Sequence, residues 1–310
     1  MIRKVNKIGP TTLMVSLPSE WVQSHGIKKG DELNVEINEE KLIIHNKKAP
    51  ISYSWIIDAK NMDIEIIKRY VIAAYKLGVD IIEFQNTNTD IQKNVSSIVQ
   101  RNILGFEIIQ RSKTGFTLQS MHYEITHDFK DSLRRIFRLL IEMASDCESM
   151  LEKNNPDLFD SISELESNNN RLTNLVRRVL NKKGYIEKEK IVYAYLIIES
   201  LEKIADYYYD LASIITKESK INSSIIKYFH DINLQLTAIY TMSYSNYDTA
   251  LVCSFVDAKR KLSQKGNKLL SSSTGVNNLI LSIIAQINMR IFELLAPHVS
   301  LVIPLNHNIK

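Results

Sequence analysis

Nine glycines are spread along 310 residues, and no two bracket a loop of the kind that cradles phosphate. There is no glycine-rich loop ending in Gly-Lys-Ser/Thr, no Gly-x-Ser-x-Gly elbow and no His-Glu-x-x-His pair. The commonest signatures of phosphoryl transfer, acyl transfer and zinc hydrolysis are therefore missing. No set of nucleophile, base and oxyanion donors can be named, so no enzymatic activity is expected. The two cysteines, Cys147 and Cys253, stand far apart, which excludes a CxxC zinc ribbon and a disulfide framework. His25, His45, His122, His127, His230, His298 and His307 are scattered without metal-ligand spacing. The opening MIRKVNKIGP lacks the apolar core of a secretion signal. No uninterrupted apolar run reaches about 18 residues. The nearest approach, LILSIIAQINMRIFELL at 279–295, carries Arg290 and Glu293, so no membrane span is expected and a reducing cytoplasm is the expected location.

What is present is an ordinary folded composition, 45% hydrophobic and 24% charged, with a net charge of +4 and a pI near 8.8. That balance permits contact with nucleic acid without requiring it. Short strand-like runs fill the first 48 residues: IRKVNKI, TLMVSLP, ELNVEI and KLIIHN. Turn signals separate them at GP (9–10), GIKKGD (26–31) and NEE (38–40). Pro18 is placed to open a short helix, with Ser16 as one candidate cap, and Gly26 is placed to end it. Lys47-Lys48-Ala49-Pro50 marks a boundary. Beyond it, SYSWIIDA, a helix over 63–78, a strand over 79–86, a helix over 90–104 and a hairpin over 106–121 predict a small α/β module at 51–123. From His127 to Pro297 apolar residues recur with helical period; Leu133, Ile136, Phe137, Leu140, Ile141 and Ala144 trace one face. Breaks at Asn154-Asn155-Pro156, Lys183-Gly184, 219–224, Ser245-Asn246 and 271–275 divide it into six helices of roughly 20–30 residues. Long helices with short joints predict a bundle over 125–300, read as three helices repeated once, with 301–310 as a tail.

A head of fewer than fifty residues buries too little surface to stand alone, since even a 60-residue domain hides only about 60% of its unfolded surface. A second copy is the simplest partner. The stretch RKVNKIGPTTLMVSLPSEWVQSHGIKKGDELNVEINEEKLIIHN resembles the SpoVT/AbrB domain in its opening RKVNKIG, its strand ending in LP, its EWVQSHGIKKGD helix and turn, and its closing strands. The resemblance covers residues 2–46 and implies a dimeric swapped-hairpin β-barrel over 1–49 that binds DNA. It places Arg3, Lys4 and Lys7, with Thr11 and Thr12, on the surface facing DNA, and Lys28 and Lys29 in a second turn. Arg3 is the expected base reader, because a guanidinium bridges two acceptors on guanine. The others would meet phosphates and make binding depend steeply on salt. The field is weak, with eight Lys/Arg against six Asp/Glu in residues 1–50. Trp21, Val22 and Ile27 are expected in the core.

In LIIESLEKIADYYYDLASII (196–215), Glu202 and Asp206 stand four apart and share a helix face. Spacing alone makes them a solvated face. SLEKIAD, however, resembles the SLERIAD motif of PhoU-type proteins, phosphate-uptake regulators built from two three-helix repeats, and DLFDSISELESNNNRLTNLVRRVL (157–180) is similar to the preceding acidic helix. Together the parts resemble archaeal proteins that fuse an AbrB-type domain to a PhoU-type bundle. The resemblance implies a cluster of divalent or iron-type metal held by paired carboxylates: here Glu166, Glu202 and Asp206. The pattern is broken at Asn170, Lys261, Gln286 and Arg290, with Asp257 left alone. A Lys or Arg offers no lone pair to a metal, so internal ion pairs are the expected partners of the surviving carboxylates. Tyr207-Tyr208-Tyr209 is expected to pack between helices. The fold expected is multidomain α+β, and the function that of a dimeric, DNA-binding transcriptional regulator of phosphate uptake. Its bundle would sense a signal or dock on a phosphate-transporter ATPase or signalling protein. On a second reading the head only dimerises the chain and the bundle acts by protein contact.

Overall fold

The computed structural model describes residues 2–38, 41–46, 52–121, 128–153, 155, 157–185, 187–215 and 221–303. The expected boundary at 47–50, and His122, His127 and His307, lie outside the described residues. The chain divides into two compact units, Met1–Ser52 and Tyr53–Lys310.

In the first unit, β1 (Asn6–Lys7) pairs with β2 (Leu13–Met14), and β3 (Leu33–Asn38) pairs with β4 (Lys41–Asn46), both antiparallel. The first strand is much shorter than the run IRKVNKI suggests, and Arg3 and Lys4 precede it in extended chain. Helix α1 (Ser19–Ser24) starts immediately after Pro18 with no side-chain cap, so Ser16 is not the cap. Pro18 itself takes the cap position in extended conformation, and its carbonyl accepts the Val22 N–H at 3.0 Å. Gly26, at φ +58°, ends the helix as expected.

Period-two alternation puts Leu33, Val35 and Ile37 on one face of the β3–β4 hairpin, and register aligns Val35 with Ile44 and Ile37 with Leu42. No residue described in this unit is buried. Ile37 is 82% exposed, Leu42 64% and Val35 56%, and Ile2, Val5, Ile8 and Leu13 are also exposed. Trp21, Val22 and Ile27, expected in a core, are only half-buried; Trp21 rests on the His25 ring at 5.0 Å.

The second unit opens with a four-stranded sheet in the order β5 (Ser54–Asp58), β6 (Ile81–Gln85), β8 (Gly115–Ser120), β7 (Phe106–Arg111). β5 and β6 are parallel and the other pairings antiparallel. Helices α2 (Ile64–Lys76) and α3 (Thr89–Asn102) begin at Asp63 and Asn88, whose side chains accept the Ile66 and Ile91 N–H groups. Ile67, Val71 and Tyr75 of α2 and Ile91, Val95 and Ile98 of α3 share one core with Ile82, Phe84 and Leu118 of the sheet. Leu175, from the bundle, completes that core, so the α/β module is seated on the bundle rather than tethered to it.

The bundle comprises α4 (Phe129–Lys153), α5 (Leu158–Lys183), α6 (Ile191–Ile215), α7 (Ser223–Tyr244), α8 (Thr249–Ser272) and α9 (Gly275–Glu293). Its core runs through all six, from Ile136 and Leu140 to Ile284 and Ile291. α8 is the least buried, contributing Phe255, Leu262 and Gly266. A short α10 (Leu295–Val302) was not expected from periodicity. Pro297 explains the break: it has no N–H for the Glu293 carbonyl but is tolerated in the first turn of a new helix. By length and composition alone Gly275–Val302 could cross a membrane, but half of its most apolar stretch is buried inside the protein, as in a core helix.

Candidate functional site

The seven head residues expected to meet DNA are all exposed. Arg3 and Lys4 precede β1, and Lys7 sits on it opposite Leu13. Thr11 and Thr12 lie in the turn to β2, which is closed by the Ile8 N–H donating to the Thr12 carbonyl at 3.1 Å. Lys28 and Lys29 follow α1 in a turn set by Asp31, whose Oδ2 accepts the Lys28 N–H at 2.8 Å while its own N–H returns to the Lys28 carbonyl at 3.1 Å. Two cationic turns are thus held in shape by backbone bonds, leaving their side chains to solvent.

In the bundle, α5 carries two chemistries on adjacent faces. Glu166, Asn170 and Arg177 face α6. Asn170 Nδ2 donates to Glu166 Oε1 at 2.5 Å. The Arg177 side chain has no solvent exposure; its guanidinium contacts Glu202 closely and lies 3.2 Å from Glu199 Oε2. One turn on, Lys203 Nζ lies 2.7 Å from Asp206 Oδ2. Burial pushes the Glu202 carboxyl up, but Arg177, Lys76 and Lys203 more than offset this and hold it below the usual range. Glu166 and Asp206 go the other way: burial raises both, reinforced by their negative neighbours, despite Asn170 and Lys68 beside Glu166 and Lys203 beside Asp206.

The adjacent face of α5 grips the α/β module. Arg178 donates to the Tyr75 carbonyl at 3.0 Å, the Val79 carbonyl at 2.7 Å and Asp80 Oδ1 at 2.5 Å, with its guanidinium 5.1 Å from the Tyr75 ring centroid. Lys182 reaches the same Asp80 oxygen at 2.6 Å. Asn181 donates to the Lys76 carbonyl at 2.7 Å, and Asn174 to the Asn102 carbonyl at 2.9 Å. The bonds to Lys76 and Asn102 satisfy carbonyls at the carboxyl ends of α2 and α3, while the Tyr75 carbonyl also accepts the Gly78 N–H at 3.0 Å.

The expected metal set does not assemble. Among the described residues no group of three or more His, Cys, Asp or Glu side chains is arranged to hold a metal ion. Glu202 and Asp206 face Arg177 and Lys203, and Glu166 faces an amide. The second-half positions fit no better: Asp257 pairs with Arg260 at 3.0 Å, and Arg290 with Glu293 at 2.8 Å. The sequence predicts internal ion pairs for these carboxylates without naming the cations, which are Arg177 and Lys203. The available signal was Arg177-Arg178, two cations inside an otherwise apolar stretch of α5. Tyr208 of the tyrosine run is fully buried and donates to Asn233 Oδ1 at 2.7 Å, as packing between helices requires.

The chain thus comprises a strand-rich head in which no described residue is buried, a four-stranded sheet module and a helical bundle. Residues 7–55 match the family described as antidote-toxin recognition MazE, bacterial antitoxin, and residues 133–215 match the PhoU domain. The MazE/AbrB-like head and the PhoU domain expected from the motifs are therefore both present. The PhoU match spans α4 to α6 and contains Glu166, Glu202 and Asp206; the head match begins at Lys7, leaving Arg3 and Lys4 outside it. No curated protein matches the chain. Both domain families are regulatory rather than enzymatic, and their pairing supports a regulator of phosphate homeostasis in general terms.

Proposed function

We propose that this chain is a cytoplasmic, homodimeric DNA-binding regulator whose two heads interlock into one barrel and whose bundle ties DNA binding to phosphate status. The observation that carries this reading is the exposed apolar face of the β3–β4 hairpin in a unit where none of the described residues is buried. Such a face needs a partner, and a second copy supplies the same pattern by symmetry. Pairing two heads doubles the cationic turns at Lys7 and Lys28-Lys29 on one body, which suits the two-fold symmetry of a DNA site. The bundle acts through unequal affinity of its signal, or of a docked transporter ATPase or signalling protein, for DNA-competent and DNA-incompetent arrangements.

The test is a mobility-shift titration with genomic fragments at two salt concentrations. Arg3→Ala is expected to weaken specific binding about tenfold or more, the effect of losing one bidentate base contact. Lys7→Ala is expected to weaken binding to all sequences and to lower the salt slope by about one. Binding that is absent at low salt would leave the adaptor reading, in which the head only dimerises.

A further inference from the structure

The disagreement between the PhoU motif and its surroundings points to what this chain does with the acidic face of its first repeat. Four carboxylates meet there, Glu166, Glu199, Glu202 and Asp206, with Asp210 just beyond. Four cations face them: Arg177 and Lys203 from the bundle, and Lys68 and Lys76 from α2 of the α/β module. Four against four leaves little surplus negative charge to attract a divalent ion, and Arg177 fills the space between Glu199 and Glu202 with donors that repel one.

The placement of α2 is not incidental. Its last turn is held by Asn181 on the Lys76 carbonyl and Arg178 on the Tyr75 carbonyl. Gly78, at φ +87°, lets the chain pass Lys182, whose Cγ would lie 2.6 Å from an added Cβ. Arg177 and Arg178, one residue apart, therefore point about 100° from each other around the helix. The first neutralises the bundle's own carboxylates, and the second anchors the module that brings further cations to them. Lys76 feels both sides of this balance: burial and Arg177 push its pKa down, while Glu202 and Glu199 push it up.

We propose that the acidic face of the first repeat is the seat of the chain's own α/β module, with Arg177, Lys203, Lys68 and Lys76 standing where the PhoU motif would otherwise gather metal. The module is then a resident occupant of that face, and the bundle is folded and closed there without metal. This does not depend on DNA binding by the head.

The test uses the full chain. Metal content is measured by elemental analysis of protein purified without chelator, and thermal unfolding is followed with EDTA and with added zinc, manganese or ferrous iron. The expected result is substoichiometric metal and an unchanged melting temperature throughout. Hydrogen exchange is then compared for Lys76→Met, which keeps the stem, and Lys76→Arg, which keeps the charge. Lys76→Met is expected to speed amide exchange in α2 about tenfold with the α6 core unaffected, and Lys76→Arg to restore it. Stoichiometric metal that is lost in Glu202→Gln would overturn the proposal. So would equal exchange in Lys76→Met and the parent, or equal effects of Met and Arg, which would reduce Lys76 to packing.

Discussion

The hairpin face carries the sharpest prediction, because its contribution can be worked from exposure. Ile37 and Leu42 sit opposite each other at the end of the β3–β4 register, 82% and 64% exposed in the single chain. Full burial of such side chains is worth about 1.5–3 kcal/mol each, and threonine, a good strand former, loses about 1.5 kcal/mol of that at each site. Two-fold symmetry counts each site twice, so Ile37→Thr with Leu42→Thr removes about 6 kcal/mol from head association. At 1.4 kcal/mol per factor of ten, the dimer constant weakens by roughly four orders of magnitude. Sedimentation equilibrium of the full chain across a wide concentration range reads this directly, and circular dichroism checks that the bundle is intact. DNA affinity should fall in parallel, since half a barrel presents half the cationic turns. A dimer constant unchanged within threefold would refute the argument, because the exposed face would then have no second copy against it.

Further predictions concern the second unit. Asn169 is wholly buried on the core stripe of α5, with both amide atoms lacking a hydrogen-bond partner among the described residues; Asn169→Leu should raise stability by about 1–2 kcal/mol in denaturant unfolding, and a loss instead would show that the amide has a partner in solution. Arg178→Met should cost about 3 kcal/mol, since Lys182 stays on Asp80 and the Gly78 N–H stays on the Tyr75 carbonyl, but the Val79 carbonyl loses its Arg178 donor and Asp80 loses one buried partner; chemical denaturation measures it. Burial raises the Asp80 carboxyl, yet Lys182, the Tyr53 N–H and Arg178 hold it below its ordinary value, so its contribution is present above about pH 4 and is lost as pH falls through the lower folded value. Asp80→Asn should therefore flatten the acid limb of the stability profile, and an unchanged limb would count against the pair. Gly266 sits where an added Cβ would overlap the hydroxyl of Tyr228, so Gly266→Ala should lower the melting temperature despite its better helix propensity, and an increase would mean that α8 is free to shift.

How much of this was legible beforehand follows the range of the interactions. The bundle helices and their joints are local facts: apolar residues recur at 3.6-residue period, and Gly184, Ser245 and the 271–275 segment interrupt it. The α/β module also declared itself, because helix-period runs over 63–78 and 90–104 alternate with the strand run over 79–86 and the hairpin run over 106–121. The head misled at two points. IRKVNKI alternates like a strand, yet only Asn6 and Lys7 pair, since a strand needs a neighbour and a single chain offers two residues of one. Trp21 and Ile27 look like core but remain half-buried for the same reason. In the dimer proposed above, a second copy would complete both.

The partners of Glu202 and Asp80 were hidden for a different reason. Arg177 lies 25 residues from Glu202, and Arg178 lies 98 from Asp80, so neither pairing leaves a trace in local spacing. What the sequence displays is only their sum, two arginines where the stripe calls for leucine. A buried guanidinium is tolerated when its charge and donors are met on arrival. An unexplained Arg-Arg inside an amphipathic helix is thus itself evidence that carboxylates approach from two directions. In this chain one direction is α6, which brings Glu199 and Glu202 to Arg177, and the other is Asp80, just before β6 of the sheet module, which meets Arg178.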